Sequence, residues 1–148
     1  MLAAIRPDSW NLPLFLHVLG STALFGTTAT VAVTAFAVRL RPVQAALLAR
    51  VTFWTFLLGI VPSWVLMRFA GQWIDDKEFP KNGPGWVDVG FIVSEGGGVL
   101  LIVLGILAWL SSRRHGGARL TLVVGALASI VLVALGVAWF AMSAKPDW

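Results

Sequence analysis

Four long apolar segments decide which folds this chain can adopt. They run from about 12 to 38, 51 to 69, 87 to 110 and 120 to 142, and the second has an alternative beginning at Val43. A helix of about 20 apolar residues crosses the hydrocarbon core of a bilayer, and the alternating pattern of outer-membrane barrel strands is absent. We therefore predict an all-α, polytopic membrane protein with four transmembrane helices in a single domain, residues 1–148. The first segment is longer than the apolar core of a secretory signal peptide, so we expect a membrane helix there.

The composition agrees with this prediction. Only 12% of the residues are charged and 58% are hydrophobic, whereas a typical soluble domain has about 25% charged residues. This shortage excludes an ordinary soluble enzyme and a disordered chain, and the absence of cysteine excludes a disulfide-stapled module. The basic residues flank the apolar segments, so they indicate membrane topology rather than nucleic-acid binding. The expected partners are the lipid bilayer and either further copies of the chain or a larger membrane complex.

The arginines predict the orientation of the chain. The two turns that join the first helix to the second and the third to the fourth carry no acid, and their arginines are Arg39, Arg41, Arg50, Arg113, Arg114 and Arg119. Because short cytoplasmic loops are rich in Lys and Arg, these turns should face the cytoplasm. Both termini and an outer loop at 71–86 should then face the other side of a plasma or inner membrane. The Pro and Gly residues after Phe79 favour turns in that loop.

Glu95 is the most informative ionisable residue. A charged group in hydrocarbon costs about 2.5–3.5 kcal/mol on insertion scales, yet Glu95 lies within an apolar segment and precedes Gly96-Gly97-Gly98. A carboxylate at an interrupted helix is typical of proton or cation sites in transporters. The alternative is a protonated Glu95 that bonds a neighbouring helix, with the glycines serving close packing.

Three further groups are predicted to lie near Glu95 in the outer half of the membrane: His17, Arg68 and Asp88. Asp88 precedes Glu95 by two helical turns, so both carboxylates share one face. Arg68 is expected either to pair with one of these carboxylates or to extend to the lipid headgroups. Together the four residues predict a polar site that opens to the outside.

His17 heads a stripe of small and hydroxylated residues on the first helix. The stripe continues through Gly20, Ser21, Leu24, Thr27, Thr28, Val31 and Thr34. Such residues face other helices in a membrane, where they pack closely and form hydrogen bonds. The imidazole can bond Glu95 or Ser21, shuttle a proton, ligate a metal or haem, or tie two helices together.

The tryptophans have simpler expected roles. Trp86, with Trp10, Trp73 and Trp148, flanks the outer ends of the apolar segments, where indoles prefer the membrane interface. Trp64 and Trp139 lie within segments and are expected to pack or to contact lipid.

The first helix also carries a family resemblance. His17-Val18-Leu19-Gly20, continuing to Gly26, places glycines three and nine residues after a histidine. Over about ten residues the chain resembles small integral membrane proteins related to the copper-resistance D group. This resemblance implies a four-helix core and the handling of a metal or haem. The later histidines that copper or haem binding needs are missing here, so the resemblance implies a metal- or haem-binding role for His17 alone.

The sequence argues against an enzyme. It has no cysteine, no phosphate-binding glycine loop and no nucleophile elbow, although a proton-transfer or redox role in the membrane stays open. The leading hypothesis is a proton, cation or small-solute transporter that uses His17, Glu95 and Asp88, with Arg68 setting the electrostatics. The second is a non-catalytic accessory or assembly subunit. The third is a haem or metal held by His17 across a dimer, or a haem held by His17 with a methionine such as Met67.

Overall fold

The computed structural model describes residues 11–78, 85–113 and 117–144. These residues form helix α1 (Asn11–Leu40), a 3-10 turn (Pro42–Gln44), α2 (Ala45–Thr55), a π-helical turn (Phe56–Ile60), α3 (Val61–Glu78), α4 (Gly85–Arg113) and α5 (Ala118–Ala144). The segment Pro42–Glu78 is continuous, and we call it the α2–α3 rod. The rod and the helices α1, α4 and α5 are each long and apolar enough to cross a membrane. The prediction of an all-helical chain with four long apolar helices is confirmed.

The boundaries of the α2–α3 rod differ from the expected ones. The rod begins at Pro42, close to the alternative beginning at Val43, because proline is well suited to the first position of a helix. The rod widens into the π turn just before Pro62. In a regular α-helix the ring of Pro62 would crowd the backbone carbonyl one turn earlier, and the wider turn relieves this contact.

The predicted bounds of the outer loop, 71–86, are wrong at both ends. Residues 71–78 continue α3, and α4 already begins at Gly85. The helix continues because Arg68 donates to Gln72 at 2.9 Å and Gln72 donates to Asp76 at 3.0 Å. Such side-chain pairs four residues apart stabilise an exposed helix. Residues 79–84, where turns are expected, lie outside the described residues.

The helices pack side by side around a mostly apolar core. α1 contacts both α3 and α5, and α4 packs against α5. The largest fully buried apolar side chains are Leu24, Val31, Ile60, Leu104 and Val124. We call the end where α1 begins and α5 ends the terminal end, and the end near Arg39, Arg50, Arg113 and Arg119 the arginine end. Most of the apolar core lies between the first of the two cavities described below and the arginine end.

The stripe on α1 faces the other helices, as predicted. Gly20, Leu24, Thr28 and Val31 are buried. Its hydroxyl groups mostly donate to carbonyl oxygens of α1 itself, four residues earlier, as Thr28 does to Leu24 at 2.7 Å. Among the hydroxyl groups of this stripe, only that of Thr34 forms a hydrogen bond to another helix in the part of the chain that the structure describes, at 3.2 Å from the Thr52 hydroxyl. The stripe therefore serves packing more than hydrogen bonding between helices.

Candidate functional site

A cavity of about 380 Å³ lies at the terminal end, between α1, α3, α4 and α5. We call it the first cavity. Most of its lining is hydrocarbon or aromatic, with a few polar side chains placed among these groups. Its lining residues that matter below are His17, Phe25, Met67, Arg68, Gly71, Trp86, Gly90, Phe91, Ser94, Ala138, Trp139 and Met142. Its size and mixed lining are typical of a site for a small organic ligand.

His17 is held in the wall of the first cavity by a bond to α3. Its Nδ1 lies 3.0 Å from the backbone carbonyl oxygen of Met67. A carbonyl only accepts hydrogen bonds, so Nδ1 carries the proton and donates it. In the neutral ring Nε2 then keeps its lone pair and is free to accept a bond from a ligand. The ring bonds neither Glu95 nor Ser21; the Ser21 hydroxyl donates to the His17 backbone oxygen at 2.7 Å.

Two glycines allow this contact between α1 and α3. A Cβ atom added at Gly20 would lie 2.6 Å from the backbone nitrogen of Met67, which cannot move aside without shifting α3. One turn further along α3, a Cβ atom added at Gly71 would lie 3.1 Å from Nδ1 of His17. The two helices are therefore close enough for the imidazole to reach a main-chain carbonyl.

Ser94 contributes the second polar group of the cavity. The residue is only 9% exposed, and its Oγ makes no hydrogen bond to any described residue. Its backbone oxygen is engaged, because the Trp64 indole donates to it at 3.2 Å. A buried hydroxyl without a partner costs about 1–3 kcal/mol, so such groups usually have a bound water or ligand as partner. The Oγ itself has almost no accessible surface, so a rotation about the Cα–Cβ bond toward the cavity would offer this hydroxyl to an occupant.

Arg68 connects the cavity with the outside of the molecule. Its side chain is 26% exposed, and Nη2 lies 3.3 Å from Oε1 of Glu95. The guanidinium carbon lies 5.0 Å from the centre of the Phe91 ring, which favours a cation. Of the two alternatives predicted for Arg68, the structure has the ion pair with a carboxylate, and Glu95 is the partner.

The four predicted site residues do not line one cavity. His17 and Arg68 line the first cavity, whereas Glu95 and Asp88 do not. Asp88 and Glu95 share a face of α4 as predicted, but this face points away from the other helices, and the Glu95 side chain is 66% exposed. Periodicity determines which residues share a face, and the packing of Val87, Gly90 and Ser94 determined which face turned inward.

The three glycines after Glu95 have two different roles. The Trp64 ring lies against Gly98, where an added Cβ atom would be 3.0 Å from it. Gly96 and Gly97 have no neighbour that would meet an added Cβ, and both line a second cavity of about 230 Å³. This second cavity also touches Leu24, Leu101 and Val131, and α4 remains helical throughout.

Several lining residues were not expected from the sequence. Trp86 and Trp139 line the first cavity, although interface and packing roles were predicted for them. Trp139 also meets Phe25 edge-on, with ring centres 5.7 Å apart. Ser94 gave no sequence signal beyond being a serine in an apolar segment. Only its spacing of four residues from Gly90, which places both on one helix face, could have suggested it.

The donor set gives little support for a metal or haem. No group of three or more His, Cys, Asp or Glu side chains that could hold a metal occurs in the described ranges, from which His115 is absent. His17 uses one ring nitrogen for Met67 and lines a cavity within the chain. Comparisons with models of known protein families, with curated proteins and with solved structures give no match.

Proposed function

We propose that this chain is an integral membrane protein that binds a small, largely apolar solute in the first cavity and takes part in its transport. The observation that carries the proposal is the combination of an oriented His17 and an unsatisfied Ser94 hydroxyl in one mostly apolar cavity. A site of this kind fixes a ligand with a few polar contacts and gains affinity from apolar surface. We place the terminal end on the outside of a plasma or inner membrane.

The helix lengths support this placement. Arg68 follows Arg50, and Glu95 precedes Arg113, by eighteen residues in each case, or about 27 Å along a helix. The hydrocarbon core is about 30 Å thick, so arginine turns at one surface put the Arg68–Glu95 pair near the other surface. At that depth the pair is far less costly than at the bilayer centre. The first cavity then opens toward the outer headgroups.

A solute fits this geometry better than a proton or cation path. The two carboxylates predicted for a cation site, Asp88 and Glu95, lie on the outer face of α4. Two others, Asp75 and Glu78, line the first cavity only in the last turns of α3, at its terminal end. Between the first cavity and the arginine end, Val31, Leu104 and Val124 are fully buried. The buried hydroxyls there, such as those of Thr28 and Thr121, already donate to carbonyl oxygens four residues earlier in the chain, so a charge crossing this core would meet no charged partner among the described residues. Transport of a solute would therefore need a second conformation or a partner protein that opens the arginine end.

The test is the identity of molecules that stay bound to the protein. The full chain is purified from cell membranes into lipid nanodiscs, and bound small molecules are extracted and identified by mass spectrometry. Ala138→Phe fills the cavity, whereas the matched variant Val137→Phe adds a similar bulk on the exposed side of α5. We expect one enriched compound in the wild type and in Val137→Phe, and its loss in Ala138→Phe.

An equal amount of the bound compound in all three proteins, or no enriched compound in any of them, would contradict the proposal. Helical content and thermal unfolding of Ala138→Phe show whether the variant still folds. Uptake of the identified compound into proteoliposomes then tests transport itself.

A second candidate function, an accessory or assembly subunit, is favoured by one observation. The Glu95 side chain is 66% exposed although one of its oxygens pairs with Arg68, and a partner helix would give the other oxygen a hydrogen bond. In that case Glu95→Gln lowers the yield of a complex in native gels, while the compound bound in the first cavity is unchanged. Haem shared by His17 of two copies is not favoured, because this imidazole lines an internal cavity.

A further inference from the structure

The first and second cavities adjoin each other. Met67, Val93, Ser94 and Leu135 line both of them. The second cavity is lined almost entirely by hydrocarbon: its polar side chains are Ser94 and the Trp64 indole, which already donates to the Ser94 carbonyl. We call the first cavity the polar chamber, because polar side chains stand in its mostly apolar wall, and the second cavity the apolar chamber; Ser94 is the polar residue that lines both.

The two chambers follow each other along the helix axes. On α5, Val131 of the second cavity is seven residues further from the terminal end than Ala138 of the first. This spacing is about 10 Å along a helix. With the terminal end at the outer surface, the polar chamber lies near the headgroups and the apolar chamber lies deeper in the hydrocarbon. This order matches that of an amphiphile in a bilayer.

The polar groups select a hydroxyl rather than a charge. Nε2 of a neutral His17 accepts a hydrogen bond, and the Ser94 hydroxyl both donates and accepts. A ligand hydroxyl matches both groups because it also donates and accepts. Among the described residues, the one Lys or Arg in the wall is Arg68, which is already paired with Glu95 and bonded to Gln72. The carboxylates of Asp75 and Glu78 also line this cavity, but they lie two and three turns closer to the terminal end than Met67, the partner of His17. A charged headgroup held at His17 and Ser94 would therefore lose hydration without gaining a free counter-charge beside it.

We propose that the two cavities form one site for a single-chain amphiphile with an uncharged hydroxyl head. The hydroxyl binds beside His17 and Ser94, and the chain extends past Gly97 toward Leu24 and Val131. This inference rests on the proposed function, that the first cavity binds a solute, and it adds the chemical class of that solute. Gly96 and Gly97 provide the space for the chain, because nothing else occupies the position of their missing side chains.

The test uses two photoreactive forms of hexadecanol in nanodiscs that contain the full chain. One carries its diazirine beside the hydroxyl and the other at the middle of the chain, and labelled residues are identified by peptide mass spectrometry. We expect the first probe to label Val87 or Ala138, which line the first cavity. We expect the second to label Leu24 or Val131. All four residues are buried, so probe in the surrounding lipid cannot reach them.

Matched glycine variants complete the test. Gly97→Leu places a side chain in the second cavity, and Gly136→Leu makes the same change at an open position that lines neither cavity. Gly97→Leu should reduce mid-chain labelling of Leu24 and Val131 by about tenfold, as expected when bulk enters an occupied space. Gly136→Leu should leave it unchanged. The same probes made as hexadecanoate should label these residues about tenfold less, because the carboxylate is charged.

The two possible failures are distinguishable. If the head probe labels Val87 or Ala138 while the mid-chain probe labels only lipid-exposed residues, the two-chamber site is wrong and the first cavity still binds a solute. If neither probe labels a buried cavity residue, the proposed function fails as well. Equal labelling by the hexadecanoate probes would overturn the assignment of an uncharged head.

Discussion

The imidazole of His17 is fixed to the main chain of α3, with Nδ1 3.0 Å from the carbonyl oxygen of Met67. This contact orients the ring and decides which nitrogen faces a ligand. It depends on Gly20, whose missing side chain lets α1 approach the backbone of Met67. The polar part of the candidate site is therefore a consequence of helix packing.

Gly20→Ala should disturb this packing. The added Cβ would lie 2.6 Å from a backbone nitrogen, so α1 and α3 must separate. Overpacking of this kind costs about 1–3 kcal/mol, and we expect a loss of that size in the free energy of unfolding in detergent. Gly26→Ala is the matched control, because nothing lies near its added Cβ. Equal stability of the two variants would contradict the close contact at Gly20.

His17→Asn separates the structural role of the imidazole from its binding role. The asparagine amide can replace Nδ1 as donor to Met67, but it has no atom at the position of Nε2. We expect unfolding stability within about 1 kcal/mol of the wild type, and loss of the bound compound. His17→Ala should lower the unfolding stability and also lose the bound compound. An Asn variant that keeps the compound at full occupancy would exclude Nε2 as a ligand contact.

Ser94→Ala should have opposite effects on the empty and the occupied protein. Removing a buried hydroxyl without a partner relieves a desolvation cost, so the ligand-free variant should be as stable as the wild type or more stable by about 1 kcal/mol. The increase in melting temperature on adding hexadecanol should become smaller. A lower stability of the ligand-free variant would indicate that the hydroxyl has a structural partner.

Glu95→Gln should have little effect on the isolated chain. The carboxylate is 66% exposed and pairs with Arg68 at 3.3 Å, and exposed ion pairs contribute about 0–1 kcal/mol. We expect a change of that size in a double-mutant cycle with Arg68→Gln, and unchanged occupancy of the first cavity. A large loss of the bound compound in Glu95→Gln would show that this carboxylate contributes to solute binding.

The amino-acid sequence determined the local features of this protein. Long apolar runs determine four long helices, and spacing determines that Asp88 and Glu95 share one face of α4 and that the stripe of His17 shares one face of α1. Both follow from the regular helical repeat, which needs no knowledge of neighbouring helices. The possible pairing of Arg68 with Glu95 could also be predicted, since opposite charges at matching depths attract.

Only the tertiary structure decided which faces turned inward. Apart from Asp88 and Glu95, the residues on both faces of α4 are mostly apolar or glycine, and a carboxylate in a membrane helix is found either in an internal site or paired at the surface, so the sequence could not choose between the face of Glu95 and that of Ser94. Side-chain packing decided which face turned inward, because the Met142 side chain packs against Gly90 and the Trp64 ring packs against Gly98. Such contacts join residues far apart in the chain, which is why the cavity residues Ser94, Trp86 and Trp139 could not be found from the sequence.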